Sequence, residues 1–150
     1  MNRGWSIERV DWEGLEQALS DSGSWSSVIL TTNDQMMVPA RPGVYAICAP
    51  PPNAVGPDQS TIFHNLASPL YVGRSESNIQ SRFMTHCRAD DPELRRAKRC
   101  YQTVSLTFWF VELPVTAIKD AEAWMIRCFG PPVNKRAGTI TGTLRPPIDA

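Results

Sequence analysis

A carboxylate on the apolar face of a helix is the residue in this chain most suggestive of chemistry. At about 100° per residue, Ile118, Ala121, Met125 and Phe129 share one face, and Glu122 lies within it with Ile118 and Ile126 four residues to either side. Burying an ionised carboxylate without a partner is costly, so Glu122 requires a cation, a metal or an opening to solvent. Two readings follow: a salt bridge to a core arginine, or a ligand to Mg²⁺, which accepts a single carboxylate alongside waters and a phosphate oxygen. A second pair, Arg82 and His86, stands four residues apart on one helical face. A guanidinium grips phosphate bidentately and an imidazole moves protons near neutral pH. Two tyrosines flanked by permissive glycines, in Gly43-Val44-Tyr45 and Tyr71-Val72-Gly73, complete the set. Each taken alone reads as an amphipathic residue at a sheet edge.

The elements that carry these residues follow from periodicity. After Pro39 and Pro42, alternation predicts a strand from Gly43 with Val44, Ala46 and Cys48 on one face and Tyr45 and Ile47 on the other. A proline-rich connection over residues 50–69, containing His64, separates it from the strand around Tyr71. Ile79, Phe83 and Cys87 repeat every fourth residue and predict a helix, with Ser75 or Ser77 as its cap. Asp91 and Pro92 predict the cap and first position of a further helix bearing the basic run Arg95, Arg96, Lys98 and Arg99. Residues 104–113 read as a central strand, with Val104, Leu106, Phe108 and Phe110 opposed to Trp109, Val111 and Leu113. The helix of Glu122 is expected over residues 116–129, ended by Gly130 and Pro131-Pro132. Upstream, Trp12, Leu15 and Leu19 suggest a short amphipathic helix and Val28-Ile29-Leu30 a brief strand. The expected fold class is α/β (α+β), a three-stranded antiparallel sheet flanked by helices. Residues 1–42 form an extension packed on or beside the core, 43–136 the core domain and 137–150 a tail.

Composition narrows the classes. At 150 residues the chain suits one domain. Its 15 basic and 15 acidic residues cancel, so a nucleic-acid surface must be a local patch, for which Arg74, Arg88, Arg95, Arg96, Lys98 and Arg99 are the candidates. No apolar run approaches a membrane span and the start lacks a secretory core, so the expectation is a soluble, cytoplasmic protein without a membrane partner. Cys48, Cys87, Cys100 and Cys128 are scattered singly and read as reduced thiols rather than a zinc site.

Gly43-Val44-Tyr45, Tyr71-Val72-Gly73, Arg82, His86, Glu122 and Asn134 occur in an order that resembles the GIY-YIG nuclease family, over about residues 43 to 136. Valine replaces isoleucine in both tripeptides, a change of one methylene. Histidine four residues after the arginine, and the closing Gly130-Pro131-Pro132-Val133-Asn134, resemble the restriction-endonuclease branch. The resemblance implies hydrolysis of DNA phosphodiester bonds with one Mg²⁺ (or Mn²⁺) per site, held by Glu122. It implies Arg82 as the group that stabilises charge on the phosphate and Tyr45 as general base with help from His86. Tyr71 would position water or phosphate, and Asn134 would brace the site. The expected function is therefore an endonuclease of restriction or defence type. The rival expectations are a nucleic-acid-binding module, or a protein-interaction subunit that cuts only within a partner complex or not at all. A homodimer, or a partner protein bound through the extension, remains open.

Overall fold

Alternation along one strand divides the molecule into two cores. In the computed structural model, which describes residues 5–49, 68–88, 92–100 and 106–134, β2 (Gly43–Ala49) is buried along its whole length. Its Tyr45 and Ile47 enter one apolar cluster with Phe83 and Phe108. Its Val44, Ala46 and Cys48 enter the other with Val111, Ile118 and Met125. Strand β4 (Thr107–Glu112) alternates in the same way, sending Phe108 and Phe110 to the first cluster and Val111 to the second. Both faces are therefore covered, as the apolar pattern of residues 104–113 requires; the first part of that span lies outside the described residues.

The sheet is antiparallel with the order β1-β4-β2-β3, where β1 is Ser26–Ile29 and β3 is Ser68–Ser75. The mixed α/β class holds, but the sheet has four strands rather than three. The additional one comes from the expected extension, with Val28 opposite Phe108 of β4. Its sequence, SSVI, carries only one buried residue and thus a faint pattern. Helix α1 (Arg9–Ala18) belongs to the same upstream segment and lies against α4 (Val115–Phe129). Helices α2 (Ile79–Cys87) and α3 (Pro92–Cys100) add Ile79, Phe83 and Leu94 to the first cluster.

Local chemistry sets the helix ends. The cap of α2 is Asn78, whose Oδ1 accepts from the Ser81 N–H at 3.0 Å. Ser75, one of the two expected caps, instead accepts from the Asn78 N–H at 2.8 Å and turns the chain out of β3. The first N–H groups of α2 donate to the carbonyls of Arg41 and Pro39, which docks the helix on the approach to β2. Helix α4 ends as expected at Gly130, whose φ of 53° is the left-handed conformation glycine tolerates best. Among the described residues no helix is long and apolar enough to cross a membrane. Cys48, Cys87 and Cys128 are free thiols, and burial pushes the first and last up to about 12, which keeps them protonated. The last two residues of the expected proline-rich connection, Ser68 and Pro69, belong to β3; residues 50–67 with His64, the Asp91 cap and the 137–150 tail fall outside the described residues.

A buried ion pair ties the upstream segment to the core. Asp11 of α1 accepts from Arg127 Nε of α4 at 2.9 Å and from the Ser6 hydroxyl at 2.6 Å, with both charged side chains largely buried. Removing one partner leaves the other desolvated and unpaired. Asp11→Ala is therefore expected to cost about 3 kcal/mol, within the range for breaking a buried pair. Urea unfolding at constant m-value checks this; a destabilisation under about half a kilocalorie per mole would mean that α1 is not held by this pair.

Candidate active site

Tyr45 is wholly buried in the middle of β2, its ring stacked on Phe108 at a centroid distance of 4.8 Å. Its hydroxyl lies 2.8 Å from His86 Nε2 and accepts from Arg82 Nε at 3.4 Å. The arginine N–H donates to the Tyr45 oxygen, while the contact with His86 Nε2 is a donation by the phenol or by the imidazole according to the imidazole tautomer. The two α2 residues reach the same oxygen because four positions return a helix to one face. Burial, reinforced by the neighbouring Tyr71, drives the Tyr45 hydroxyl strongly upward from its ordinary value, against the pull of Arg82. Tyr45 is accordingly a neutral phenol near neutral pH. Arg82 is raised in turn, chiefly by its hydrogen bond to Tyr45, and stays a cation.

Register explains the second tripeptide. Gly73 pairs with Tyr45, and a Cβ at Gly73 would collide with the ring carbon that bears the hydroxyl and with the hydroxyl itself. Glycine here provides room for the catalytic candidate. Between Ile47 and Cys48 the β2–β3 register shifts, so that Tyr71 faces Ile47 while Pro69 faces Cys48. This bulge sits on the edge strand, where a proline is tolerated. Before that shift the register is regular, and Tyr71, two residues from Gly73, lies on the Tyr45 face, its ring 6.3 Å from Tyr45 and 5.1 Å from His86. It is half-buried, in contrast to the enclosed Tyr45.

Glu122 belongs to the opposite layer. Val72 points into the α4 cluster, and Arg74, two residues on, falls on that same side, where its Nη1 donates to Glu122 Oε1 at 3.1 Å. The Glu122 side chain is 16% exposed. Burial raises its carboxyl above the ordinary value, with Arg74 and then Arg82 opposing the shift. The charge of Glu122 is in turn felt at Tyr45, so the two half-sites are coupled electrostatically. Arg74, assigned from sequence to DNA contact, thus forms the ion pair weighed as one reading of Glu122. Strand parity was the signal that links them, since residue 74 lies on the face opposite to that of Gly73.

Asn134 serves the backbone of β3. Its Oδ1 accepts from the Val72 N–H and its Nδ2 donates to the Val72 carbonyl, both at 2.8 Å. With Val133 N–H donating to the Leu70 carbonyl, the chain after α4 covers the outer edge of β3. Of the basic run, Arg95, Arg96 and Arg99 are exposed on α3, as is Arg88 at the end of α2. Lys98 differs: its ammonium donates to the carbonyls of His86 and Cys87 at 2.8 and 2.9 Å, capping the helix that carries His86. Sequence reasoning placed it with the phosphate contacts because a cation near a helix end and one on an exposed face look alike in a basic run.

Among the described residues no three His, Cys, Asp or Glu side chains converge. A cation here would therefore rely on Glu122, whose second oxygen makes no hydrogen bond or ion pair among the described residues. One hard oxygen donor completed by waters would suit Mg²⁺ or Mn²⁺ better than zinc.

A carboxyl raised by folding favours the native state when protonated, and that contribution is lost as pH rises through its folded pKa. Glu122→Gln is therefore expected to raise the melting temperature at neutral pH, with the gain shrinking as pH falls from the raised carboxyl's titration range to the ordinary carboxylate value and absent below it. Thermal scans across pH check the sign; a gain that grows toward acid would contradict it. Comparison with family models, curated proteins and solved structures finds no match.

Proposed function

We propose that this protein is a Mg²⁺-dependent endonuclease that hydrolyses DNA phosphodiester bonds, acting in restriction or defence, with chemistry like that of the GIY-YIG nucleases it resembles. The observation that carries the reading is the Tyr45 hydroxyl held between buried His86 Nε2 and the Arg82 guanidinium. A tyrosine driven upward by burial is a poor base alone. It becomes competent when its own proton has an acceptor, because it can take a proton from water while passing one to His86. Arg82, already a cation, then binds a non-bridging phosphate oxygen and stabilises charge that builds there. Tyr71, half-buried beside Tyr45, orients the water or the phosphate. Glu122 would hold the divalent cation, which when bound supplies Lewis-acid stabilisation of the phosphate and leaving oxygen. Arg88, Arg95, Arg96 and Arg99 would meet the DNA backbone, where contacts position the duplex without reading sequence.

One observation favours a partner-dependent variant of this reading. Tyr45 has no exposed surface and Glu122 is paired with Arg74, so the site must open before water and phosphate enter. Opening on DNA binding, within a homodimer or through a partner protein, would meet that need.

Incubation of plasmid DNA with the protein and Mg²⁺ tests the proposal. Cleavage is expected, with Tyr45→Phe slowing it by about 10²–10⁴, the usual range for general acid–base catalysis, and Glu122→Ala abolishing it. Full activity in Tyr45→Phe would remove the relay from the mechanism. Joint replacement of Arg95, Arg96 and Arg99 by alanine should reduce the salt slope of DNA binding by about 0.9 for each phosphate no longer neutralised; an unchanged slope would return α3 to the role of a solvated face.

A further inference from the structure

Arg74 stands between two carboxylates of different character. Its Nη1 is 3.1 Å from Oε1 of the largely buried Glu122, and its Nε is 3.9 Å from Oε1 of Glu76, which is 56% exposed. The Arg74 side chain is 34% exposed, anchored at the inner carboxylate and partly open to solvent. The outer carboxylate is close in sequence, since Glu76 lies just past the end of β3. The inner contact uses one oxygen of Glu122, and a metal ion on the other oxygen of the same carboxylate would lie within a few ångströms of the guanidinium. A guanidinium and a divalent cation cannot share that carboxylate without strong repulsion at such short range. Because a buried carboxylate is costly without a cation, the position is filled either by the arginine or by the metal.

We propose that Arg74 is the resident counterion of Glu122 and that a divalent cation displaces it. The displaced guanidinium swings outward toward Glu76, where it can also receive a substrate phosphate. The exchange rests on the reading of Glu122 as the metal ligand made above. It couples two events: loading the cation releases a second phosphate-binding arginine beside Gly73, and an incoming phosphodiester that captures Arg74 favours cation binding. By linkage the two ligands strengthen each other. The guanidinium keeps Glu122 neutralised in the absence of metal, so the metal-free protein tolerates a carboxylate in an apolar layer.

The test is direct binding of Mn²⁺ to the full chain, followed by the electron-paramagnetic signal of the free ion, without DNA and without reference to activity. Arg74→Ala and the bulk-preserving Arg74→Gln are compared with the native chain, and each is repeated in a Glu122→Gln background, with circular dichroism confirming the fold. Both Arg74 variants are expected to bind Mn²⁺ roughly tenfold or more tightly, the ratio that matches removal of one competing hydrogen bond to a charged group. The gain should disappear in the Glu122→Gln background. Equal or weaker Mn²⁺ binding by folded Arg74 variants would overturn the exchange, as would a gain that persists without Glu122. Absence of Mn²⁺ binding in every form would overturn it as well, by removing Glu122 as a ligand. Tightened binding combined with inability to cut any DNA would leave the exchange standing and sink the nuclease reading instead.

Discussion

A phenol hydroxyl enclosed in an apolar layer is the constraint around which this structure is arranged. Left unpaired, the Tyr45 oxygen would cost the fold the free energy of a buried, unsatisfied polar group. Its satisfaction by His86 and Arg82 requires α2 to lie with one helical face directed at the middle of β2. That placement calls for the α2 N-terminus to dock on the carbonyls of Pro39 and Arg41, and it receives a C-terminal cap from Lys98 of α3. The same hydroxyl dictates glycine at position 73, because the paired strand must leave that volume empty. The network is therefore structural and chemical at once: what holds the helix on the sheet is also the path by which a proton could leave the tyrosine.

Edge strand β3 lies between this network and Glu122, which stay close enough for Arg82 to act on Glu122 and for Glu122 to act on Tyr45. Successive residues of β3 serve different sides, Tyr71 and Gly73 toward the phenol, Val72 and Arg74 toward α4. An edge strand suits such a double duty because only one of its neighbours is a strand, and here the other side is closed by the Asn134 amide bonded to both backbone groups of Val72. The two halves differ in thermodynamic character. The Tyr45 group is hydrogen-bonded and neutral, whereas Glu122 carries a charge that burial disfavours and Arg74 offsets only in part. Strain of this electrostatic kind is commonly kept at functional sites, where a group must stay ready for a ligand.

Much of this was legible in the sequence where a strong period met a single environment. Alternation in residues 43–49 and 106–113 identifies both inner strands and the assignment of each side chain to its face, because both faces are apolar but differ in partner. The four-residue repeat of Ile79 and Phe83 fixes the buried face of α2, and with it the joint placement of Arg82 and His86. Glu122 stood out for the same reason, as a charge on an apolar stripe. What the sequence did not disclose depends on contacts between elements. The sequence suggests a brief strand at Val28-Ile29-Leu30, but β1 buries only Val28 and its pattern does not tell that it joins the sheet beside β4. The choice of Asn78 over Ser75 as cap turns on where β3 ends, and both residue types cap helices well. The pairing of Arg74 with Glu122 spans 48 positions and emerges only once β3 is known to lie against α4.

The chemistry assigned to the site depends first on the Tyr45 proton being directed at a neutral His86. Long-range nitrogen–proton correlation NMR of the imidazole, at neutral pH and without ligand, reads this directly. The relay requires His86 to carry its proton on Nδ1, with Nε2 unprotonated and its signal shifted when Tyr45 is replaced by phenylalanine. An imidazole protonated on Nε2, or one unaffected by that replacement, would contradict the relay.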